Sequence, residues 1–309
     1  MKPIVTLTLN PSVDSSCQAD DVVAIRKVRT FEERYEAGGG GINVSRVIRE
    51  LGGETIAVYL AGGLTGHAFN DMVDEIGLDT RHIEIAGSTR VSHVVYERST
   101  GQEFRFTPSG PEIRESEWRS CLEVLSSLEF DYIVASGSLP RGVQSDFYAR
   151  VAHIAHERGA RFVLDTSGTA LYEALKEGVY LVKPNLRELQ HLLGRKAHDR
   201  AEQAVLALEV VSSGRAEIVT LSLGADGALL AHDNETRHVA SPHVEVRSAV
   251  GAGDSFVGAM TLGLAQERSL LDAFILGVAT GTATVMTMGT ELCHREDVEN
   301  LYEQIKQQF

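Results

Sequence analysis

The octapeptide AVGAGDSF, residues 249–256, is the stretch on which the fold reading turns. Gly251 and Gly253 flank Ala252, Asp254 follows at once, and an apolar run, SFVGAMTLGLA, begins behind it. That run predicts a helix buried in a core. Side chains stripped from the turn before it leave backbone N–H groups bare, and the helix start adds its positive dipole end. Together they form a nest suited to anionic oxygens such as those of a phosphoryl group in transit. Asp254 then has two readings. It is an N-cap of the helix, or it is a base that orients an incoming hydroxyl while the bare amides hold the anion. In the second reading the dipole keeps the carboxylate ionised.

Outward from this turn, short apolar runs alternate with helical patterns. IVTLTL (4–9), TIAVYLA (55–61), YIVAS (132–136), RFVLD (161–165), YLVK (180–183) and EIVTLSL (217–223) read as buried strands. Residues 43–51 place Val44, Val47, Ile48 and Leu51 on one helical face, and further helices begin near Gly66, Glu115, Ser145, Asp199 and Asp254. Continuous apolar strands between helices imply an α/β fold, a mainly parallel central sheet covered on both faces. Two segments break the rhythm. Residues 14–35 are charged with no helical face, and residues 89–107 read as a hairpin turning at Ser99–Gln102. They are taken together as a small β-sheet lid over an α/β domain formed by residues 1–13, 36–88 and 108–309. An open small sheet has a face and edges that need cover, which predicts a homodimer through the lid.

The 309 residues include 29 basic and 43 acidic side chains, a formal charge of −14, which argues against a nucleic-acid partner. Cys17, Cys121 and Cys293 are far apart and lack metal-site or disulfide spacing, so a reducing cytoplasm is the expected compartment. The opening run is too short for a signal peptide. Residues 273–290 carry no charge but hold three Gly and five Thr, which favours a buried helix over a membrane span.

Other motifs carry polar groups at strand ends, where ligands of such sheets sit. Gly38, Gly39, Gly40 and Gly41 precede Ile42 and Asn43 at a helix start; they permit close backbone approach to a ligand or make a flexible loop. No GxGxxG occurs around them, which weighs against a dinucleotide-dependent oxidoreductase. In KPNLRE (183–188), Asn185 and Glu188 share a helix face, fit either for hydrated Mg²⁺ or for a capping box. SLGADG (222–227) is a glycine turn between strands: a plain hairpin, or a contact for a nucleotide. Asp14, beyond Asn10-Pro11-Ser12, can hold sugar hydroxyls or shape a turn, and SGSLP (136–140) ends another strand. Lys27, Arg29 and Arg90 are basic residues of the lid and form a candidate phosphate clamp.

The ordered set TLNPSVD, GGGGINVSR, SGSLP, KPN-x-x-E, SLG-x-x-G and GAGDSF resembles the ribokinase-like (PfkB) carbohydrate kinases over essentially the whole chain. GGGGINV, where GGKGINV is common among fructose-1-phosphate kinases, looks like the branch that phosphorylates the 1-hydroxyl of fructose 6-phosphate with ATP; tagatose 6-phosphate is the nearest rival. The resemblance implies that Asp254 is the catalytic base, with Gly251, Ala252 and Gly253 as the anion hole. It implies that Asp14, Gly39, Gly40, Asn43, Arg90 and Ser138 bind the sugar phosphate, with Lys27 reaching in from the lid. Lys183, Asn185, Ser222, Gly224, Ala225, Asp226, Gly227 and Ser248 would contact ATP, and Glu188 would organise Mg²⁺, directly or through water. Ser248, Val250, Thr284 and Gly289 would frame a K⁺ site through backbone oxygens. One departure is Ala249, where relatives usually carry Thr, which bears on cation dependence and nucleotide affinity. A non-catalytic sugar-phosphate sensor is the reading from another class; an intact Asp254 weighs against it.

Overall fold

The computed structural model describes residues 3–309. In chain order it begins with β1 (Ile4–Thr8), β2 (Ser12–Ala19), β3 (Thr30–Gly38), α1 (Gly40–Glu50), β4 (Thr55–Ala61), α2 (Gly63–Ile76) and β5 (Asp79–Glu84). Next come β6 (Arg90–Glu97), β7 (Gln102–Phe106), α3 (Glu115–Ser127), β8 (Tyr132–Ser136), α4 (Phe147–Glu157), β9 (Arg161–Asp165), α5 (Gly168–Glu177) and β10 (Val179–Val182). The last part is α6 (Leu186–Leu193), α7 (Arg200–Ser212), β11 (Ala216–Ser222), β12 (Ala228–His232), β13 (Glu235–Val239), α8 (Ala252–Ala265), α9 (Leu270–Thr284) and α10 (Arg295–Lys306).

Nine strands form one sheet in the order β13-β12-β11-β10-β9-β8-β1-β4-β5. The pairs from β11 through to β5 are parallel, and β12 and β13 are added antiparallel. The reason is chain length. Five residues, which include the 3₁₀ turn Gly224–Asp226, join β11 to β12, and two residues join β12 to β13; such short links cannot make a crossover. Both faces of the parallel strands are buried, as their continuous apolar runs require. In β8, Ile133 and Ala135 join a core with α3, α4, α5, α6 and α7, while Tyr132 and Val134 join the opposite core with α1, α8, α9 and α10.

The order reverses beside β1: α1 carries the chain from β1 to β4 on one side, and β8 pairs on the other. This reversal leaves a crevice at the strand C-termini, the usual ligand position in open α/β sheets. A second sheet, β3-β2-β6-β7, stands on the same end of the molecule's chain path, with β2 following β1 directly. Its base is apolar: Val13 and Ala37 pack with Phe69 and Val73 of α2. Alternation along its strands sends Asp14 and Glu36, a register pair, to the other face.

Several expected boundaries move. α1 begins three residues before Asn43, because the glycine tract itself supplies its first turn. The uncharged segment 273–290 is not one helix: α9 stops at Thr284, and a turn containing Gly289, φ 62°, follows. Thr287 Oγ1 lies 2.8 Å from the Thr284 carbonyl and 2.6 Å from that of Glu291, so its one hydroxyl proton is shared between the end of α9 and the turn that follows. β5 and β13 lack the apolar run of a central strand and were not expected; they are the two edge strands, with most side chains toward water, whereas β12, the strand implied beyond the SLGADG turn, is buried from Ala228 to Ala231. Among the described residues no helix is long and apolar enough to cross a membrane.

Candidate active site

α8 explains the peculiar composition of its own start. Gly251 is the N-cap residue, in the left-handed region at φ 74°, so Asp254 falls in the first helical turn rather than at the cap. Its carboxylate does not cap the helix. Oδ2 accepts from Asn43 Nδ2 at 3.0 Å, and Oδ1 accepts from Ser136 Oγ at 2.9 Å. Asn43 comes from α1 and Ser136 from the end of β8, so the acid is held at the point where the strand order reverses. The small residues of α8 and α9 permit this seat: Gly277 and Gly281 face the Phe256 and Ala252 carbonyls, each 3.1 Å from where a Cβ would stand.

Burial and the nearby Asp165 carboxylate push the pKa of Asp254 up to about 6, against the pull of Asn43, Ser136 and Lys183. Desolvation is the largest of these effects and disfavours the charged form. A base poised just below neutrality is nevertheless ionised at pH 7 and can still accept a proton.

Behind the turn lies a buried ion pair. Lys183 Nζ, from the end of β10, stands 3.1 Å from Asp165 Oδ2 at the end of β9. Burial opposes the lysine's charge, but Asp165 overcomes it and the pKa ends above the usual lysine range. A Cβ at Gly253 would stand 3.1 Å from this ammonium, so the glycine lets the cation approach the helix start. The ammonium and the free N–H groups of the turn thus converge on one side of Asp254.

The glycine tract is packed, not loose. A Cβ at Gly38 would overlap the Asp14 carboxyl, one at Gly40 the Ser136 hydroxyl, and one at Gly41 the Leu7 carbonyl. Gly39 has φ 110°, closed to other residues. Asp14 is buried and accepts from Ser12 Oγ at 2.5 Å; burial pushes its pKa up, while Ser12, Arg90 and Arg46 pull it down. Arg90 is anchored by bonds to the Asn10 carbonyl at 2.8 Å and the Pro108 carbonyl at 3.0 Å. Its Nε is buried without a partner, as are Asn10 Oδ1 and Thr8 Oγ1. Buried polar atoms are normally paired, so these three mark polar positions at the strand end.

The remaining motifs also meet at strand ends. Asn185 bridges to Ser222, and Ser222 N donates to the Pro184 carbonyl at 3.1 Å, which sets KPN beside the 224–227 turn. Gly224 and Gly227 hold positive φ there, and Ala225 and Asp226 complete the 3₁₀ turn. Asn185 and Glu188 form a reciprocal capping box: each backbone N–H donates to the other's side chain at 2.9 Å. That occupies Glu188 Oε2 and leaves Oε1. Burial raises the Glu188 pKa. Glu188 also lines a cavity of about 1050 Å³ between α5 and α6, whose wall includes Tyr172, Arg187, His191 and Lys196.

Ser248 Oγ donates to the Gly289 carbonyl at 2.9 Å and accepts from Val250 N at 3.3 Å, joining the loop before α8 to the turn after α9. Thr284 Oγ1 donates back to the Thr280 carbonyl within its helix, and the Thr284 carbonyl accepts from Thr287.

Of the three basic residues expected to form a clamp, Arg90 stands beside Asp14 within this chain. Lys27 and Arg29 are exposed in the β2–β3 connection and form no hydrogen bond or ion pair with Asp14, Arg90 or Asp254, among the described residues. Charge in a loop says nothing of where the loop leads. Ser138 is exposed on the loop after β8, whereas Ser136 makes the bond to Asp254. Ser136 and Asp165 were missed as site residues. The available signal was their place as the last residue of an apolar strand.

The pfkB family carbohydrate kinase profile matches residues 7–297. An ATP-dependent 6-phosphofructokinase isozyme 2 of Mycobacterium tuberculosis is 41% identical over 302 residues, 97% of this chain and 89% of that protein. The phosphofructokinase-2 of Escherichia coli in complex with potassium superposes with a TM-score of 0.95 at 38% identity, covering 99% of this chain and all of the other. The same enzyme in complex with fructose-6-phosphate gives 0.94 at 37%, with the same coverage. A crevice built by the glycine tract, the KPN strand end and the GAGD helix start, matched along nearly its full length, places this chain in the pfkB family of carbohydrate kinases.

Proposed function

We propose that the chain transfers the γ-phosphoryl group of ATP to the 1-hydroxyl of fructose 6-phosphate, releasing fructose 1,6-bisphosphate and ADP. The observation that carries this reading is the seat of Asp254, fixed by Asn43 and Ser136 beside the bare turn of residues 251–253. Arg90 and Asp14 supply the sugar end: the guanidinium takes the 6-phosphate, and the carboxylate takes ring hydroxyls. Lys183 and the 222–227 turn engage the nucleotide phosphates. Asp254 accepts the hydroxyl proton as the acceptor oxygen bonds to phosphorus and the bond to the ADP oxygen breaks. The turn amides and Lys183 hold the oxygens of the group in transit.

Among the described residues no cluster of three metal-binding side chains occurs, so Mg²⁺ is not held by a protein cage. Its hard-oxygen demand fits Glu188, whose carboxyl feels the charges of Asp165 and Lys183, together with nucleotide phosphates and water. When bound, Mg²⁺ neutralises phosphate charge. A K⁺ ion would be held by backbone oxygens of the Ser248–Val250 and Thr284–Gly289 segments. The lid is the surface for a homodimer. Tyr35, Ser15, His93 and Phe106 follow one another in register across its four strands, and Tyr35 and Phe106 remain more than half exposed. Val23 and Ile25 add exposed apolar area in the β2–β3 connection. The expected setting is the cytoplasm.

A coupled ADP-release assay with Mg·ATP across hexoses and hexose phosphates tests the assignment. Fructose 6-phosphate should give the highest kcat/KM. A higher value with tagatose 6-phosphate or fructose 1-phosphate reassigns the acceptor, and no turnover with any sugar phosphate leaves the sensor.

A further inference from the structure

Arg46 lies one turn beyond Asn43 on α1, with its side chain only 14% exposed. Nη2 donates to Glu36 Oε1 at 2.7 Å; Nη1 donates to the Ala37 carbonyl at 3.2 Å and to Asn43 Oδ1 at 3.4 Å. A guanidinium carries five donors and no acceptor. The Asn43 atom facing it must therefore be the carbonyl oxygen. That leaves Nδ2 for Asp254 Oδ2, at 3.0 Å. A flipped amide would set NH₂ against the guanidinium and oxygen against the carboxylate, two repulsions in place of two bonds. We propose that Arg46 is a positioning residue for phosphoryl transfer, fixing the Asn43 amide so that it holds the Asp254 carboxylate toward the acceptor hydroxyl. Glu36 extends the anchor. Its second oxygen accepts from Thr290 Oγ1, so α1 and the turn after α9 meet at one carboxylate of the β3 strand.

A different role for Arg46 would be counter-charge, since its field also lowers the Asp14 pKa. Asp254 is faced besides by Asp165 from β9, Lys183 from β10 and Ser136 from β8. The two roles separate in a double-mutant cycle. This inference rests on Asp254 being the base, so Asp254→Asn is run alongside, on whichever acceptor the wild type phosphorylates fastest. Arg46→Met should lower kcat about 3- to 30-fold in the wild-type background, the range for one weakened polar bond to a charged group. In the Asn43→Ala background the same change should lower kcat less than about twofold. KM for ATP should stay within about twofold in both. The acid limb of kcat should move upward alike in Arg46→Met and Asn43→Ala, because the Asn43 bond pulls the Asp254 pKa down. Equal losses in both backgrounds mean that Arg46 acts by its own charge and overturn the proposal. So does a folded Arg46→Met with unchanged kcat. If Met at this position prevents folding, Arg46→Lys and Asn43→Ala/Arg46→Lys are read by the same criterion. Wild-type kcat in Asp254→Asn overturns the base assignment and this inference with it; loss there with additive Arg46 effects overturns this inference alone.

Discussion

Lys183 and Asp165 form a buried ion pair, 3.1 Å from nitrogen to oxygen, directly behind the glycine turn that precedes Asp254. The pair ties the ends of β9 and β10 together and sets two fields on Asp254. Asp165 raises its pKa and Lys183 lowers it.

Removing one partner should expose that balance. Lys183→Met leaves a carboxylate with little access to water and no cation, at a cost on the order of 3 kcal/mol of stability. KM for ATP should rise and the acid limb of kcat should move up. Urea unfolding and a pH–rate profile check both. Adding Asp165→Asn should recover much of the stability without restoring the KM.

Asp254→Asn should lower kcat by roughly 10²–10⁴ while ATP binding persists. Titration calorimetry and ADP release measure the two separately. More than half of wild-type kcat would leave the acid a purely structural role.

The same variant should be more stable than wild type in alkaline but not in acid solution. The unfolded carboxyl titrates near 3.8 and the folded one near 6, so the folded state binds the proton more tightly. This group therefore supports folding below about pH 4 and that support is lost as pH rises through 6. Asp254→Asn should raise Tm by about 2–5 °C at pH 8 and leave it nearly unchanged at pH 4. Scanning calorimetry at the two pH values decides it. In catalysis the same titration predicts an acid limb of kcat/KM near pH 6.

Arg90→Ala should raise KM for fructose 6-phosphate about 10- to 150-fold, as for one charged hydrogen-bond donor, with little change for ATP. Arg29→Ala should change neither by more than about twofold if the phosphate is held within one chain, where Arg29 is exposed in the β2–β3 connection. Steady-state kinetics on both variants provides the check. An Arg29 effect as large as that of Arg90 would restore a clamp built from several lid residues.

Glu188→Gln separates capping from metal use. Gln serves in a capping box as Glu does, so α6 and the Tm should be preserved. A Mg²⁺ titration at fixed ATP should show a higher half-saturation. An unchanged titration would confine Glu188 to the cap.

The alternation of apolar runs with helical patterns is a local property, and it was enough for an α/β sheet buried on both faces, for the small second sheet and for the helix behind AVGAGDSF. The glycine tracts and Asp254 were legible for the same reason: missing side chains and an acid at a helix start have few local uses. The partners of Asp254 were not legible. Asn43 and Ser136 lie 211 and 118 residues away in the chain, and only the packing of α8 against α1 and β8 brings them to one carboxylate. The direction of its pKa shift was decided likewise, because desolvation and the Asp165 field depend on what surrounds the group in space. Lys27 and Arg29 show the converse. Their charge was plain in the sequence, but which side of a loop faces the crevice is set by sheet register and by the path of the chain between β2 and β3.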